Sequence, residues 1–237
     1  MPKVFISRNL KTNSPFRQEL EAAGMEVIGQ SLIHFSPIAF EHIPTTDWLF
    51  FYSRNAVKYF FEGLKELDMP NLKDLAYLKS KQWAVMGAGT AKALQNKGIP
   101  PNYVGTGHPK STATNFEAII KNQKILFIRA KTSKKSVQKL ITNQTQVKDL
   151  VVYENSIKQN FELPTCDFLV FTSPLNTQAY FQKYPWQKQQ KVVAIGNTTA
   201  KSLTTLGISD IKIALKPTEA CLAKTVLGID KKEKKSK

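Results

Sequence analysis

The 237-residue chain predicts an α/β fold of two doubly wound, parallel-sheet domains, and three observations carry that prediction. Short apolar runs alternate with stretches whose apolar residues recur every three or four positions, the alternation of strand and helix that builds parallel sheets. A strand–glycine–helix stretch occurs twice, as A-V-M-G-A-G-T-A-K-A-L-Q-N-K-G-I over 84–99 and as V-A-I-G-N-T-T-A-K-S-L-T-T-L-G-I over 193–208. In it Gly87, Thr90, Ala91, Lys92, Leu94, Gly98 and Ile99 match Gly196, Thr199, Ala200, Lys201, Leu203, Gly207 and Ile208. The surroundings recur too: 47–53 is echoed by 167–173, and the strand that ends at Arg8 is echoed by one that ends at Arg129.

The elements come in order along the chain. Residues 3–6 read as a buried strand, and Ser14-Pro15 starts a helix, a capping hydroxyl followed by a proline whose fixed φ suits the first turn. Phe16, Leu20 and Ala23 line its inner face, and Gly24 ends it. Residues 27–35 are extended, and Ser36-Pro37 argues that the next segment is a connector rather than a central strand. The strand 47–52 leads into a helix with Val57, Phe60, Phe61 and Leu64 at i, i+3, i+4 and i+7. An irregular insertion over 69–78 precedes the first repeat copy, and a weak strand Tyr103-Val104 follows it. Ser111 or Thr112 is expected to cap a helix carrying Phe116, Ile119 and Ile120. A strand over 124–128 is followed by a helix with Val137, Leu140 and Ile141, and 147–153 is extended. After the strand 167–173 comes the second copy, whose helix is expected to be capped by Asn197 or Thr198. A strand over 211–215 and a helix from Pro217-Thr218 complete the chain, with a disordered basic tail from 230.

These elements group into four strand–helix units, 1–35, 47–120, 124–158 and 167–229. The pattern alone leaves open whether the first unit pairs with the second or with the fourth. Pairing with the fourth would make the middle an inserted domain, linked by extended crossings near 33–42 and 150–160.

Composition narrows the chemistry. The net charge is +16, of which the lysine-rich stretch 231–237 supplies +4, and the remaining excess suggests a polyanionic partner or a solubility charge. Two cysteines, Cys166 and Cys221, are too few for a disulfide framework and lack metal-ligand spacing. The first residues read as a strand rather than a signal peptide, and no stretch reaches the ~20 apolar residues a membrane span needs, so a cytoplasmic location is expected. Neither glycine turn is a dinucleotide fingerprint, since Lys92 stands where the third glycine belongs, and there is no Walker-type loop. The three histidines lie in connectors or loops, without a metal-like partner spacing. Classical acyl, glycosyl or metal-assisted hydrolysis lacks its required groups.

What remains is a site of hydroxyls, amides, arginines and one tyrosine. Strand carboxyl ends are where open α/β sheets bind ligands, so Gly87 with Thr90, and Gly196 with Thr198 and Thr199, are the first candidates; ordinary helix capping would explain the same residues. Two such edges facing each other would form a cleft. Arg8 and Arg129 end equivalent strands and could take carboxylates bidentately, or form surface ion pairs. Tyr153 stands on the second crossing; as an ordinary phenol it would be a protonated weak acid at neutral pH, or simply a half-buried strand aromatic.

Together the stretches F-Y-S-R-N-A-V (51–57), F-T-S-P (171–174), V-Y-E (152–154), A-I-G-N-T-T-A-K-S-L (194–203) and Pro217-Thr218 resemble the uroporphyrinogen-III synthase family across all but the tail. The resemblance implies two Rossmann- or flavodoxin-like domains joined by a two-stranded linker, the first discontinuous. Residues 1–35 plus 160–229 would form it, 42–149 the inserted domain, and 36–41 with 150–159 the linker strands. It implies a lyase without cofactor or metal that cyclises the linear tetrapyrrole hydroxymethylbilane, inverts its last ring and releases water. Tyr153 would assist departure of the hydroxyl. Ser53, Thr90, Ser173, Thr198 and Thr199 match the family's cleft hydroxyls, and Arg8, Asn55, Gly87, Arg129, Thr172, Gly196 and Thr218 complete the expected substrate contacts. The expected partners are the tetrapyrrole and, transiently, the preceding pathway enzyme, with no nucleic acid or membrane and a monomeric chain. Two departures stand out: Arg8 is followed by Asn9 instead of proline, and Arg129 by A-K-T-S-K-K instead of a glycine-and-arginine loop. A non-catalytic clamp for a polycarboxylate is the alternative; nucleic-acid binding is disfavoured because the lysines are scattered.

Overall fold

The computed structural model describes residues 1–67, 78 and 80–235, so the insertion expected over 69–78 falls, Leu78 apart, outside the described residues. The chain divides into two compact units, Met1–His34 with Ser156–Lys237, and Phe35–Asn155.

In the first unit β1 (Lys3–Ile6), β2 (Glu26–Gly29), β9 (Phe168–Phe171), β10 (Lys191–Ala194) and β11 (Ile211–Ile213) form a parallel sheet in the order β11-β10-β9-β1-β2. Counted within the unit this is the order 2-1-3-4-5, the flavodoxin-like winding, whose direction reverses between β1 and β9. Both central strands are buried on both faces, which is why they read as unbroken apolar runs. Helices α1 (Pro15–Ala22), α5 (Pro174–Lys183), α6 (Asn197–Thr205) and α7 (Glu219–Lys235) connect or follow the strands. Ser14 caps α1 by accepting from the Arg17 amide at 3.3 Å, and Gly24 leaves it at φ +76°, where a side chain would strain the backbone.

In the second unit the order is β3-β8-β7-β4-β5-β6, from β3 (Ile33–Pro37), β4 (Trp48–Phe51), β5 (Gln82–Val85), β6 (Tyr103–Val104), β7 (Ile125–Ala130) and β8 (Val147–Ile157). Starting the count at β7, its five parallel strands again run 2-1-3-4-5, with the reversal between β7 and β4. β3, with Pro37, lies at the sheet edge beside β8, where a missing N–H costs least. Helices α2 (Arg54–Glu66), α3 (Ala88–Gln95) and α4 (Pro109–Ile120) cover the sheet. One core joins Leu49, Phe51, Val57, Phe60, Trp83 and Val152; on the opposite face Trp48, Phe50, Phe116 and Phe127 make another.

Four local expectations change. α4 starts at Pro109 after His108, not at Ser111 or Thr112: proline presets the first turn, and the Thr112 hydroxyl instead accepts from the Thr106 amide at 3.1 Å. Val137, Leu140 and Ile141 lie not on a helix but around a single 3₁₀ turn, Gln138–Leu140. No cap residue starts a helix there; the Tyr52 hydroxyl takes the amides of Val137 and Gln138 at 3.1 and 2.9 Å. α6 is capped by Gly196 rather than Asn197 or Thr198. The basic tail continues α7 as helix through Lys235, a run of strong helix formers rather than a disordered end.

Candidate active site

The reversal of strand order puts β7 beside β4 in the second unit, and the residues just past these strands and along β8 form its candidate site. Ser53, directly after β4, adopts extended φ/ψ (−156°, 164°) and caps α2, accepting from the Ala56 amide at 3.1 Å. Its Oγ also lies 3.0 Å from the Tyr153 phenol oxygen.

Tyr153 reaches that position because β8 carries a bulge. Arg129 pairs with Val151 but Ala130 pairs with Tyr153, so Val152 is an extra residue. Strict alternation would send Tyr153 to the face opposite Leu150 and Val152, yet all three lie in the same core cluster beneath α2. The phenol ring stacks on Tyr59 of α2 at 5.2 Å and tilts against Phe35 at 6.1 Å. Burial raises its pKa above 10.0, the hydrogen bond with Ser53 opposes that, and neighbouring Tyr59 adds to it. Tyr153 is therefore a protonated phenol at neutral pH, in mostly apolar surroundings, with a hydroxyl as its polar neighbour.

Arg129 is placed differently from a free ligand. Its side chain is 9% exposed, with Nε 2.7 Å from Asp149 Oδ1, and Nη2 donates to Oδ2 at 2.9 Å. Nη1 donates to the Ala130 carbonyl at 2.9 Å, and Lys135 Nζ meets Asp149 Oδ2 at 2.5 Å. The bidentate face that a substrate carboxylate would use is held by Asp149. Burial pushes the Asp149 carboxyl up, but the hydrogen bonds and charges of Arg129 and Lys135 outweigh it and hold its pKa below 3.8. Asn55 is half-buried in the first turn of α2. Gly87 caps α3 without a side-chain bond, and a Cβ there would lie 3.3 Å from the Gly107 backbone; Thr90 is buried.

The first unit repeats the pattern with different partners. Ser173 caps α5 by accepting from the Asn176 amide at 3.3 Å, and the Asn176 carboxamide donates to it at 2.9 Å. Asn176 in turn accepts from the Leu32 amide at 2.9 Å, a tie to the chain segment before β3. Thr172 is latched across the β1/β9 reversal: its amide donates to Ser7 Oγ at 2.8 Å and its hydroxyl to the Ser7 carbonyl at 2.9 Å. Arg8 is partly exposed and touches Glu219 at 3.4 Å, and Glu219 also accepts from the Ser14 hydroxyl at 2.5 Å. Thr218 is exposed and accepts from the Cys221 amide at 3.3 Å, just ahead of α7. At the second glycine turn Gly196 has open space where a Cβ would sit, Thr198 is exposed and Thr199 is buried. With a glycine cap, no cap side chain competes for the first-turn amides of Asn197 and Thr198.

Other groups stay apart from this chemistry. Burial pushes the Cys166 thiol up to about 11, so it is no nucleophile at neutral pH. His34, His42 and His108 are exposed, and among the described residues no group of three His, Cys, Asp or Glu side chains could hold a metal. No helix among the described residues is long and apolar enough to cross a membrane. A cavity of about 710 Å³ lies at the amino ends of β5 and β6 between Trp83, Phe61 and Asn102, away from the strand carboxyl ends. Sequence reasoning missed the Asp149 partner of Arg129 and the pairing of Ser53 with Tyr153; an aspartate within the largely apolar extended stretch 147–153 was the available signal for the former.

Two flavodoxin-like units, one with a buried phenol at its strand reversal, place the chain among two-unit α/β proteins, a class whose open sheets take ligands at strand carboxyl ends. The chain belongs to the family of uroporphyrinogen-III synthase HemD, whose model matches residues 14–224, and it is a cyclising lyase of tetrapyrrole biosynthesis. Among solved structures it is similar to the uroporphyrinogen-III synthetase of Helicobacter pylori 26695, at 23% identity and TM-score 0.75, covering 97% of this chain and 100% of that one. It is also similar to a mutant uroporphyrinogen III synthase of the extremely thermophilic bacterium Thermus thermophilus, at 17% identity and TM-score 0.58, covering 99% and 100%. Both likenesses confirm the fold.

Proposed function

We propose that Tyr153 is the proton donor in closure of hydroxymethylbilane to the ring-inverted macrocycle. The phenol proton goes to the hydroxyl on the substrate's terminal methylene, the C–O bond breaks and water leaves. The last pyrrole, through its substituted carbon, attacks the cation-like carbon left behind. The bond from that substituted carbon to its own methylene bridge then breaks and re-forms at the pyrrole's free α carbon, which loses a proton and so restores the phenol; bonds and protons balance over the cycle. Little other acid–base machinery is needed, because the work is to hold a flexible chain so that the substituted carbon is the one that forms the new bond. The observation that carries this reading is the buried, protonated phenol at the β7/β4 reversal, aimed by a strand bulge and held by Ser53.

The substrate's acetate and propionate groups would be met by exposed or partly exposed donors at strand carboxyl ends: Arg8, Asn55, Thr198, Thr218 and the first-turn amides after Gly87 and Gly196. Thr90, Thr172, Ser173, Thr199 and Arg129 would shape those turns from within, as their burial or existing hydrogen bonds support. The net charge of +16 favours capture of such a polyanion. The chain is further proposed to act as a cytoplasmic monomer that receives its short-lived substrate from the preceding pathway enzyme. The test is incubation with enzymatically generated hydroxymethylbilane and separation of the oxidised product isomers. The ring-inverted type III isomer is expected. If only the non-inverted type I isomer forms, the chain is a polycarboxylate clamp and the enzymatic reading is wrong.

A further inference from the structure

The two units carry the same serine in the same place, and their difference isolates a function. Ser53 and Ser173 follow equivalent strands, share extended backbone angles (−156°, 164° and −164°, 155°) and cap the next helix through the amide three residues on. Ser173 completes its hydrogen bonding with a carboxamide of its own helix, Asn176. Ser53 instead meets Tyr153, 100 residues away. Capping a helix does not require that second contact, as the first unit demonstrates.

A serine hydroxyl has one proton and two lone pairs. At Ser53 one lone pair takes the Ala56 amide at 3.1 Å, so the proton and the other lone pair are left for the phenol oxygen 3.0 Å away. The pair can thus be bonded in either direction without a heavy atom moving. While the phenol is intact, it can donate to Ser53 or present its own proton elsewhere and accept from Ser53. Once the phenol has given up its proton, only the second direction remains, and the serine proton faces the phenolate. Behind the serine lies the amino end of the 13-residue α2, whose dipole favours negative charge at that end. The groups packed against Tyr153 offer no substitute. Phe35 is apolar, and the Tyr59 hydroxyl donates to the Phe35 carbonyl at 3.2 Å. Among the described residues Ser53 is the hydrogen-bond partner of the Tyr153 oxygen.

We infer that Ser53 is a positioning residue for Tyr153, orienting the phenol through their shared hydrogen bond and turning its own proton onto the phenolate as the substrate hydroxyl departs. This rests on Tyr153 being the proton donor, and it assigns Ser53 to the tyrosine rather than to a substrate carboxylate.

The test uses Ser53→Gly, since glycine is nearly as good a helix cap as serine, with Ser53→Thr as the conservative variant. Each is made in the wild-type chain and in the Tyr153→Phe background. The expected result for Ser53→Gly is a fall in kcat of about tenfold with KM within about twofold, near what losing one hydrogen bond would give. Ser53→Thr restores most of it, and in the Tyr153→Phe background Ser53→Gly changes kcat less than about twofold. An equal fold-loss in both backgrounds overturns the inference, because the serine would then act on substrate or on the fold without the phenol. Without substrate, 13Cζ-tyrosine NMR should show the Tyr153 ionisation, identified by its absence in Tyr153→Phe, moved to higher pH in Ser53→Gly. No movement overturns the pairing itself. If the movement is seen but Tyr153→Phe keeps full activity, the proton-donor reading fails and the positioning role falls with it, while the pairing stands.

Discussion

Removing either member of the Arg129–Asp149 pair separates a structural ion pair from a substrate contact. Asp149→Asn leaves the Arg129 guanidinium, 9% exposed, without its carboxylate, and the remaining donation to the Ala130 carbonyl does not neutralise it. Stranding a charge in a largely buried site costs about 3 kcal/mol or more. Arg129→Met is milder, about 2 kcal/mol, because Asp149 keeps Lys135 as a partner and is itself 22% exposed. Arg129→Met with Asp149→Leu should cost less than the two single changes together, since neither charge is then stranded. Urea unfolding gives these values, and steady-state kinetics on the same proteins gives KM, expected within about threefold of wild type for Arg129→Met. The pH dependence follows in sign. The Asp149 pKa is lower in the folded chain than in the unfolded one, so its contribution is complete above the ordinary carboxyl range and disappears as pH falls through the folded value. Wild type should therefore lose stability on acidification over that window more steeply than Asp149→Asn. A KM raised tenfold or more in Arg129→Met with stability within about 0.5 kcal/mol of wild type would refute the argument and return Arg129 to the substrate.

Two further substitutions probe neighbouring features. Thr198→Ala, at the exposed hydroxyl of the second glycine turn, should raise KM by about 10- to 100-fold, the worth of a hydrogen bond to a carboxylate, with urea stability nearly unchanged. Thr199→Ala, at the buried neighbour, should instead lower stability by about 1 kcal/mol and leave KM close to wild type, so the reverse pattern would exchange their roles. Tyr52→Phe removes the acceptor of two backbone amides, Val137 and Gln138, and should destabilise the chain by about 2 kcal/mol in urea. Unchanged stability would mean those amides find other partners.

The fold was legible wherever both faces of a strand are buried. Trp48–Phe51 and Phe168–Phe171 are apolar at every position because helices cover both sides, and Ser14-Pro15 announces α1 by chemistry local to four residues. What escaped depends on partners far along the chain. The segment after Lys135 carries helical spacing, yet a tyrosine hydroxyl 85 residues earlier holds its first amides and only a 3₁₀ turn forms. Arg129 reads as a strand-end ligand until Asp149, 20 residues on, takes its guanidinium. Within the site, the glycine–threonine turns were visible as a repeat, but which threonine is exposed is decided by helix phase, and the cap falling on Gly196 sets that phase. Tyr153 stood out through family resemblance; its orientation comes from one extra residue at Val152, which no periodicity in 147–157 reveals.

Single-turnover kinetics of Tyr153→Phe tests the central claim most directly. The substitution deletes one oxygen, leaves the ring against Tyr59 and Phe35, and leaves Ser53 capping Ala56, so stability should change by no more than about 1 kcal/mol. Removing a general acid costs about 10²- to 10⁴-fold. The expected result is formation of the type III isomer slowed by at least 100-fold in a folded protein that still binds hydroxymethylbilane. A rate within a fewfold of wild type would contradict the account and make Tyr153 a packing residue at the end of a bulged strand.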